Sequence, residues 1–576
     1  MGHTRHSLAR VLALLALLAL VAAACAQGGD GTTPPADDGA TPAAGDDGEE
    51  PAAEGQTLVF GTSADPVVLD GILVSDGESL RAIDQMFEGL VTLQPGGTEL
   101  EPGLATEWEA SDDGLEWTFT LREGVTFHDG EPFNAEAVCF NFDRWYNFEG
   151  SFQNPDATYY WQTVFGGFAD GGPEGEGGEA ATSLYESCEA TDEYTAVLRI
   201  TEPSASFLPA LALTNFTFGS PAALEEYGAD EGEVGDDGVF RPTGTYGTEH
   251  PTGTGPFRFV EWTRNDRLVM ERNPDWWGDF EGNVETLIFR PIADNAARLQ
   301  ALQTGEIQGY DLVEPQDIET IDGNEDLQIL DRPAFNIGYV GFNQDIEPFD
   351  NIAVRQAFAH AIDRQAIIDG FYAGRGEVAH QFMPPALFGY ADEVTEYEYD
   401  PDRARQILED AGLDVPVEID FAYPTDVSRP YMPDPEQNFQ AMVADLEDCC
   451  FTVQVKSDTW SPDYLSKYLD RYGAYLLGWT GDFGDPDNFL GTFFQEGSPG
   501  FNHTNRELYN ILDEAEVETD EQRRTELYEE ANRIIADELP GLPYVHTEPA
   551  LAFTANVSGY EPSPVSLEQF HTVTVE

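Results

Sequence analysis

The chain has 576 residues, of which 108 are Asp or Glu and 27 are Lys or Arg, giving a formal charge of −81 at neutral pH. That balance leaves no basic patch to neutralise phosphates and excludes nucleic acid as a partner. Hydrophobic residues still make up 41% of the chain, with 36 Phe, so the body is a folded one despite its charge. The acidity reads either as adaptation to a saline or alkaline medium, where ions screen self-repulsion over roughly 3 Å at 1 M, or as an acidic surface inherited in a high-GC lineage. Only Lys456 and Lys467 are lysines.

Arg5 and Arg10 precede an apolar stretch from Val11 to Ala24, which Cys25 follows. Its length and flanks fit an export signal over residues 1–24 and not a membrane span. Val21-Ala22-Ala23-Ala24-Cys25 resembles a bacterial lipobox, which implies lipidation of Cys25 and attachment to the bilayer through that anchor. Residues 25–56, rich in Gly, Pro, Asp, Ala and Thr, read as a flexible acidic tether. About 520 residues remain, enough for two or three lobes.

Along that body, Thr57–Phe60 reads as a strand, Ser79–Phe87 as a helix and Leu90–Leu93 as a strand. Leu104–Trp108 and Trp117–Arg122 follow as strands, the latter half-buried by its alternation. Asn134 is placed to cap a helix that buries Val138, Phe142 and Trp145. Gly166–Ala181 and Gly228–Gly238 read as solvated acidic loops. Gly253–Phe257 turns into an antiparallel pair, Phe257–Val260 with Arg267–Met270. Ala296–Leu302 predicts a helix ending near Gly305, and Asn336–Asn343 a strand. The spacing of Val354, Ala357, Phe358, Ala361 and Ile362 predicts one helix over 352–371, with Asp350 available as its cap. Strands at Val415–Val417, Val417–Phe421 and Phe451–Val455, with the helix Phe439–Leu446 among them, indicate an α/β lobe. The run Leu476–Phe489 is an apolar strand entering a turn thick with Gly, Asp and Pro, a form suited to presenting acidic and aromatic groups at a cleft.

Four cysteines remain beyond Cys25. Cys139 and Cys188 both lie in the amino-terminal half and are the preferred disulfide; Cys449 and Cys450 read equally as a vicinal bridge or as two buried thiols. The nine histidines are scattered with no zinc-like spacing, so no metal or cofactor is expected.

With these residues in view, the chain is similar to the dipeptide- and oligopeptide-binding branch of the bacterial extracellular solute-binding proteins that serve ABC importers. The likeness runs essentially from Thr57 to Val565 and is carried by Leu104–Trp108, Leu121–Gly130, Gly253–Phe257, Asp350–Phe358 and the Trp479-Thr480-Gly481-Asp482 run. It implies an α/β, two-lobe periplasmic-binding-protein-like fold with a hinge and an additional subdomain in the first lobe. The first lobe is then 57–339 plus 546–576, its subdomain about 88–240, and the second lobe 340–545, with crossings near Tyr339 and His546. It further implies an extracytoplasmic, lipid-anchored monomer that captures short peptides, dipeptides first, and delivers them to membrane permease subunits, the cytoplasmic ATPase subunits acting indirectly.

By the same resemblance Asp482 receives the peptide α-amine, with Asp485 and Asp487 as lesser alternatives, and Arg429, heading Arg429-Pro430-Tyr431, receives the carboxylate. A carboxylate in a dry cleft and the planar fork of arginine suit those two tasks. Trp479 and Trp460 are candidates for the aromatic walls, and Tyr339 and Asn343 are weaker ones at the hinge side. The same architecture also serves longer peptides, nickel complexes, oligosaccharides or opine-like solutes. A hydrolase is disfavoured, because the chain has neither a Gly-x-Ser-x-Gly elbow nor a His-Glu-x-x-His helix.

Overall fold

The computed structural model describes residues 55–155, 157–171, 182–235, 239–468, 471–498, 500–566 and 568–576. The leader, Cys25, the tether as far as Glu54 and residues 172–181 of the Gly/Glu insertion lie outside the described residues. No helix among the described residues is long and apolar enough to cross a membrane.

The first lobe is built on a seven-stranded sheet whose spatial order begins Phe257–Thr263, Arg267–Arg272, Val284–Pro291 and Gln56–Thr62, then continues Gly309–Tyr310, Ala550–Thr554 and Leu327–Asp331. The strand Gln56–Thr62 runs parallel to Val284–Pro291, pairing Leu58 with Leu287 and Phe60 with Phe289. Those side chains are fully buried, and the Phe60 ring meets Phe289, Phe553 and Phe570 within about 6 Å, joining segments from both ends of the chain in one core. The expected antiparallel pair forms, with Phe257 opposite Arg272.

A four-stranded antiparallel sheet, in the order Ala105–Ala110, Glu116–Leu121, Thr195–Ile200, Tyr185–Asp192, forms the subdomain. The helix Ala135–Tyr146 packs on it, capped by Asn134, whose Oδ1 accepts from the Ala137 amide at 2.9 Å. Val138, Phe142 and Trp145 are its buried face. Cys139 and Cys188 are disulfide-bonded with Cα atoms 5.1 Å apart, tying this helix to the edge strand. The acidic stretch from Gly228 is more ordered than its composition suggests: Gly232–Val234 and Phe240–Pro242 form a small hairpin, held because Phe240 is buried with its ring centroid 4.9 Å from that of Phe152. Residues 236–238 of that stretch lie outside the described residues.

The second lobe has a six-stranded sheet in the order Gly376–Glu377, Gly541–Thr547, Asn336–Phe342, Ala474–Thr480, Val417–Thr425, Phe451–Thr459. Val417–Thr425 and Phe451–Thr459 are parallel and linked by the helix Pro435–Cys449, the expected strand–helix–strand unit. The strand starts at Val417, however, and not at Val415, since the ladder to the neighbouring strand begins at Val417 opposite Phe451. The single helix expected over 352–371 is two, Ile352–Ala361 and Arg364–Phe371. Ile362 is extended, Asp363 caps the second helix through the Ala366 amide, and Asn351 rather than Asp350 caps the first. Cys449 and Cys450 form a vicinal disulfide at the end of Pro435–Cys449.

The chain leaves the first sheet after Asp331 and joins the second at Asn336, then leaves the second after Thr547 and rejoins the first at Ala550. The crossings therefore run through 332–335 and 548–549. Tyr339 and His546, near which the crossings were expected, are already paired inside the second sheet, opposite Pro543 and Glu377. At the first crossing Arg332 donates to both carboxylate oxygens of Asp311 at 3.1 Å and to Glu568. Arg81 grips the same two acids at 2.6 and 2.7 Å. This closed set of buried charges fixes the first lobe's end of the crossing, since each charge has an opposite partner.

Candidate ligand-binding site

The strands Asn336–Phe342 and Ala474–Thr480 are antiparallel, with Asn336 opposite Thr480, so the turn after Thr480 emerges beside the first crossing. The Gly481 amide donates to Phe335 O at 2.9 Å, and a Cβ at Gly481 would fall 2.2 Å from the Phe335 ring, so only glycine fits this contact. Asp482 follows, half-buried. Its Oδ1 accepts from the Tyr160 hydroxyl at 2.9 Å and its Oδ2 from Asn488 Nδ2 at 3.2 Å. The Asp482 amide donates to Asn488 Oδ1 at 2.8 Å, and Trp479 Nε1 reaches the same oxygen at 3.4 Å. Burial pushes the Asp482 carboxyl up to about 6, against the opposing effect of the Asn488 and Tyr160 hydrogen bonds. Among the described residues Asp482 has no cationic partner.

The neighbouring acids do different work. Asp485 is buried and accepts both terminal nitrogens of Arg524 at 2.8 and 2.9 Å, while its Oδ1 also takes the Asp487 amide at 2.9 Å. It is the residue that shapes the turn and starts the helix Asp487–Phe494. Asp487 is pushed up to about 7, first by burial and then by the charges of Asp485 and Glu516.

The turn is enclosed from the other lobe. Phe483 is buried within the first lobe's hydrophobic cluster, Gly484 lies against Thr98, and the Ala205 amide donates to Glu516 O at 2.8 Å. Tyr160, from the helix Tyr159–Phe165, is the subdomain's contribution and was not foreseen from the sequence.

Arg429 sits on the loop that follows Val417–Thr425, closed by reciprocal Arg429–Met432 backbone bonds of 3.1 and 2.9 Å. Its guanidinium carbon lies 4.3 Å over the Trp460 ring, its Nε is buried without a partner, and it makes no ion pair among the described residues. Trp460 in turn stacks on Tyr464. Trp460 thus lies directly against Arg429, and Trp479 reaches Asp482 only through their shared partner Asn488. Tyr339 and Asn343 are committed elsewhere. The Tyr339 ring is buried among Phe382, Phe493 and Phe501, and Asn343 Oδ1 accepts from Asn502 Nδ2 and the Asp345 amide. No group of three or more His, Cys, Asp or Glu side chains able to hold a metal is found among the described residues.

Residues 99–501 match the family model for the bacterial extracellular solute-binding proteins, family 5. The chain belongs to that family. It is 30% identical over 537 residues to the dipeptide-binding protein of Escherichia coli K12, covering 91% of this chain and 95% of that protein. It is 29% identical over 544 residues to heme-binding protein A of Haemophilus influenzae, covering 92% and 94%. Among solved structures, a dipeptide-binding protein from Pseudoalteromonas sp. SM9913 in complex with Met-Leu superimposes with a TM-score of 0.76 at 25% identity, covering 90% of this chain and all of that one. This solute-binding family therefore confirms the two-lobed α/β architecture expected from the resemblance.

Proposed function

We propose that this protein captures short peptides, dipeptides first, in the cleft between its lobes and presents them to the permease of an ABC importer. The observation that carries the reading is a pair of opposite charges, unneutralised among the described residues: Asp482 without a cation and Arg429 without an anion, the latter lying over the Trp460 ring and the former held by Asn488, to which Trp479 also bonds. A zwitterion that spans them supplies the missing partner to both, with charge-assisted hydrogen bonds in a cleft that excludes water. The dipeptide-binding relatives support the same cargo. Tyr160 belongs to this site as a hydrogen-bond donor that holds the Asp482 carboxylate from the opposite lobe. In the living cell the protein is held outside the membrane by lipid on Cys25, and its charge of −81 suits a salt-rich medium.

Calorimetry with a free dipeptide and its N-acetylated and C-amidated forms tests the cargo. Each blocked form loses one charge contact and binds at least thirtyfold more weakly, and the N-acetyl penalty disappears in Asp482→Ala while the amide penalty disappears in Arg429→Ala. Equal affinity for free and blocked peptides rejects the assignment.

A further inference from the structure

The turn Gly481–Asp485 sends its successive residues to different parts of the molecule. Asp482 meets Tyr160, Phe483 is buried in the first lobe's cluster, Gly484 lies against Thr98, and Asp485 is clamped by Arg524 within the second lobe. Phe483 thus belongs by sequence to the second lobe and by packing to the first, with only 6% of its surface exposed. A phenylalanine side chain covers about 150–250 Å², much of which meets water when the lobes part. The buried Asp485–Arg524 pair fixes the turn in the second lobe, so the ring is held ready for its seat.

Gly484 sets how closely the turn approaches. Thr98 stands on the hairpin turn that joins Val91–Leu93 to Leu100–Pro102 in the first lobe. A Cβ on Gly484 would fall 2.7 Å from Thr98 O and 2.8 Å from Thr98 Cβ and Oγ1. The nearest of these atoms is backbone and cannot rotate away, so any side chain at 484 holds the turn off the hairpin. Nothing inside the second lobe demands glycine there: the three nearest atoms all belong to Thr98, and φ lies outside the left-handed region. One backbone bond also crosses the seam, from the Ala205 amide to Glu516 O at 2.8 Å. Charge opposes the seam. The Glu516 carboxyl is pushed up first by burial and then, against its Gln495 hydrogen bond, by the like charges of Glu202 across the seam and Asp513. Beside the Tyr160–Asp482 bond, the seated ring supplies the attraction.

We infer that Phe483 and Gly484 form a closure latch that draws the lobes together before ligand arrives and so scales the affinity for every ligand by one factor. All its contacts are between protein groups, so they favour closure equally whatever the cleft holds. Apparent affinity is the intrinsic affinity multiplied by the fraction of protein in the binding-competent form. The latch raises that fraction, while Asp482 and Arg429 read the two ends of the ligand. The peptide reading of the site supplies the probe for this inference and not its basis.

The test has two arms, both on the full mature protein. Hydrogen exchange without ligand follows the Ala205 amide, whose acceptor lies on the other lobe. That amide is protected in the unaltered protein, and Gly484→Ala and Phe483→Ala each speed its exchange by about twofold or more, Phe483→Leu by less. Calorimetry then uses the free dipeptide Ala-Leu with its N-acetylated and C-amidated forms. Gly484→Ala and Phe483→Ala weaken all three by a common factor of about threefold or more. Retention of the N-acetyl and amide penalties reports that the variants are folded with Asp482 and Arg429 in place. A loss confined to the peptides with a free amine means that the turn acts through Asp482 and overturns the latch. Unchanged Ala205 exchange in both variants, or unchanged affinity, overturns it too. If no dipeptide binds the unaltered protein, the cargo reading fails, and the exchange of Ala205 still decides the latch.

Discussion

The Tyr160 hydroxyl and the Asp482 carboxylate, 322 residues apart in sequence, meet at 2.9 Å and join the first-lobe subdomain to the turn at the end of a second-lobe strand. Together with the burial of Phe483 in the first lobe's cluster, this contact describes a closed arrangement of the lobes. Closure is therefore coupled to the same carboxylate that is proposed to receive the ligand. A carboxylate has about four acceptor positions, so Tyr160 and Asn488 leave room for an ammonium.

Replacing Tyr160 by Phe removes a donor without removing the ring. Hydrogen bonds to charged groups are worth about 1.5–3 kcal/mol, so affinity for a free dipeptide falls about tenfold or more. The carboxyl, losing one of its stabilising bonds, titrates higher than in the unaltered protein. Calorimetry at pH 7 and a pH series check both effects. Unchanged affinity with an unchanged acid limb removes Tyr160 from the site.

Asp485 and Arg524 form a buried bidentate pair that fixes the turn. Arg524→Leu leaves a buried carboxylate unpaired and lowers stability by about 3–5 kcal/mol, read from chemical denaturation. Asp485→Asn also weakens the turn but keeps the penalty for N-acetylated peptides, because Asp482 is intact. A loss of that penalty in Asp485→Asn moves the amine contact from Asp482 to Asp485.

Local signals in the sequence carried much of this architecture. Asn134 before an apolar periodic run and the strand–helix–strand unit around Pro435–Cys449 depend on short-range chemistry, and the preferred pairing of Cys139 with Cys188 came from both lying in one half of the chain. The break at Ile362 was hidden because apolar spacing continues across it, although Asp363 is itself a capping residue. Tyr160 left no signal, since its partner lies on another lobe and its helix begins without a side-chain cap. The roles of Asp482 and Asp485 separate only once Arg524, 39 residues beyond Asp485, is folded onto one of them. Conversely, Tyr339 and Asn343 looked available in sequence because a strand pattern does not reveal which neighbours fill the space around it.

The net charge of −81 predicts a stability that depends on salt. Like charges on the folded surface repel across short distances, and screening contracts from about 10 Å at 0.1 M to roughly 3 Å at 1 M. The melting temperature rises between about 0.05 M and 1 M NaCl, by more than for a less acidic relative measured alongside. A flat or falling curve removes the halophilic reading.

The proposed lipidation of Cys25 is tested at the amino terminus of the mature protein. Protein extracted from membranes in detergent begins at Cys25 and carries acyl mass by intact mass spectrometry, and Cys25→Ser shifts it to the soluble fraction. A mature amino terminus elsewhere, without acyl mass, rejects the anchor.

The binding curve against pH should have two limbs. In the closed arrangement the Asp482 carboxyl is raised to about 6 by burial, so below that value it is protonated and a proton must leave before an ammonium is received. Binding the cation favours the carboxylate and lowers this pKa, so affinity for a free dipeptide is full above about 6 and falls toward tenfold per unit below it. On the alkaline side the peptide α-amine loses its charge near pH 7.7–8, and affinity falls again. The maximum therefore lies at roughly pH 6.5–7.5. Calorimetry from pH 4.5 to 9 in buffers of different ionisation enthalpy also gives the proton count directly: a proton released on binding near pH 5.5 and none near pH 7. An N-acetylated peptide, with no amine to titrate, has no alkaline limb, and Asp482→Asn has no acid limb. If the acid limb survives in Asp482→Asn, another group controls it and the assignment of Asp482 as the amine's partner fails.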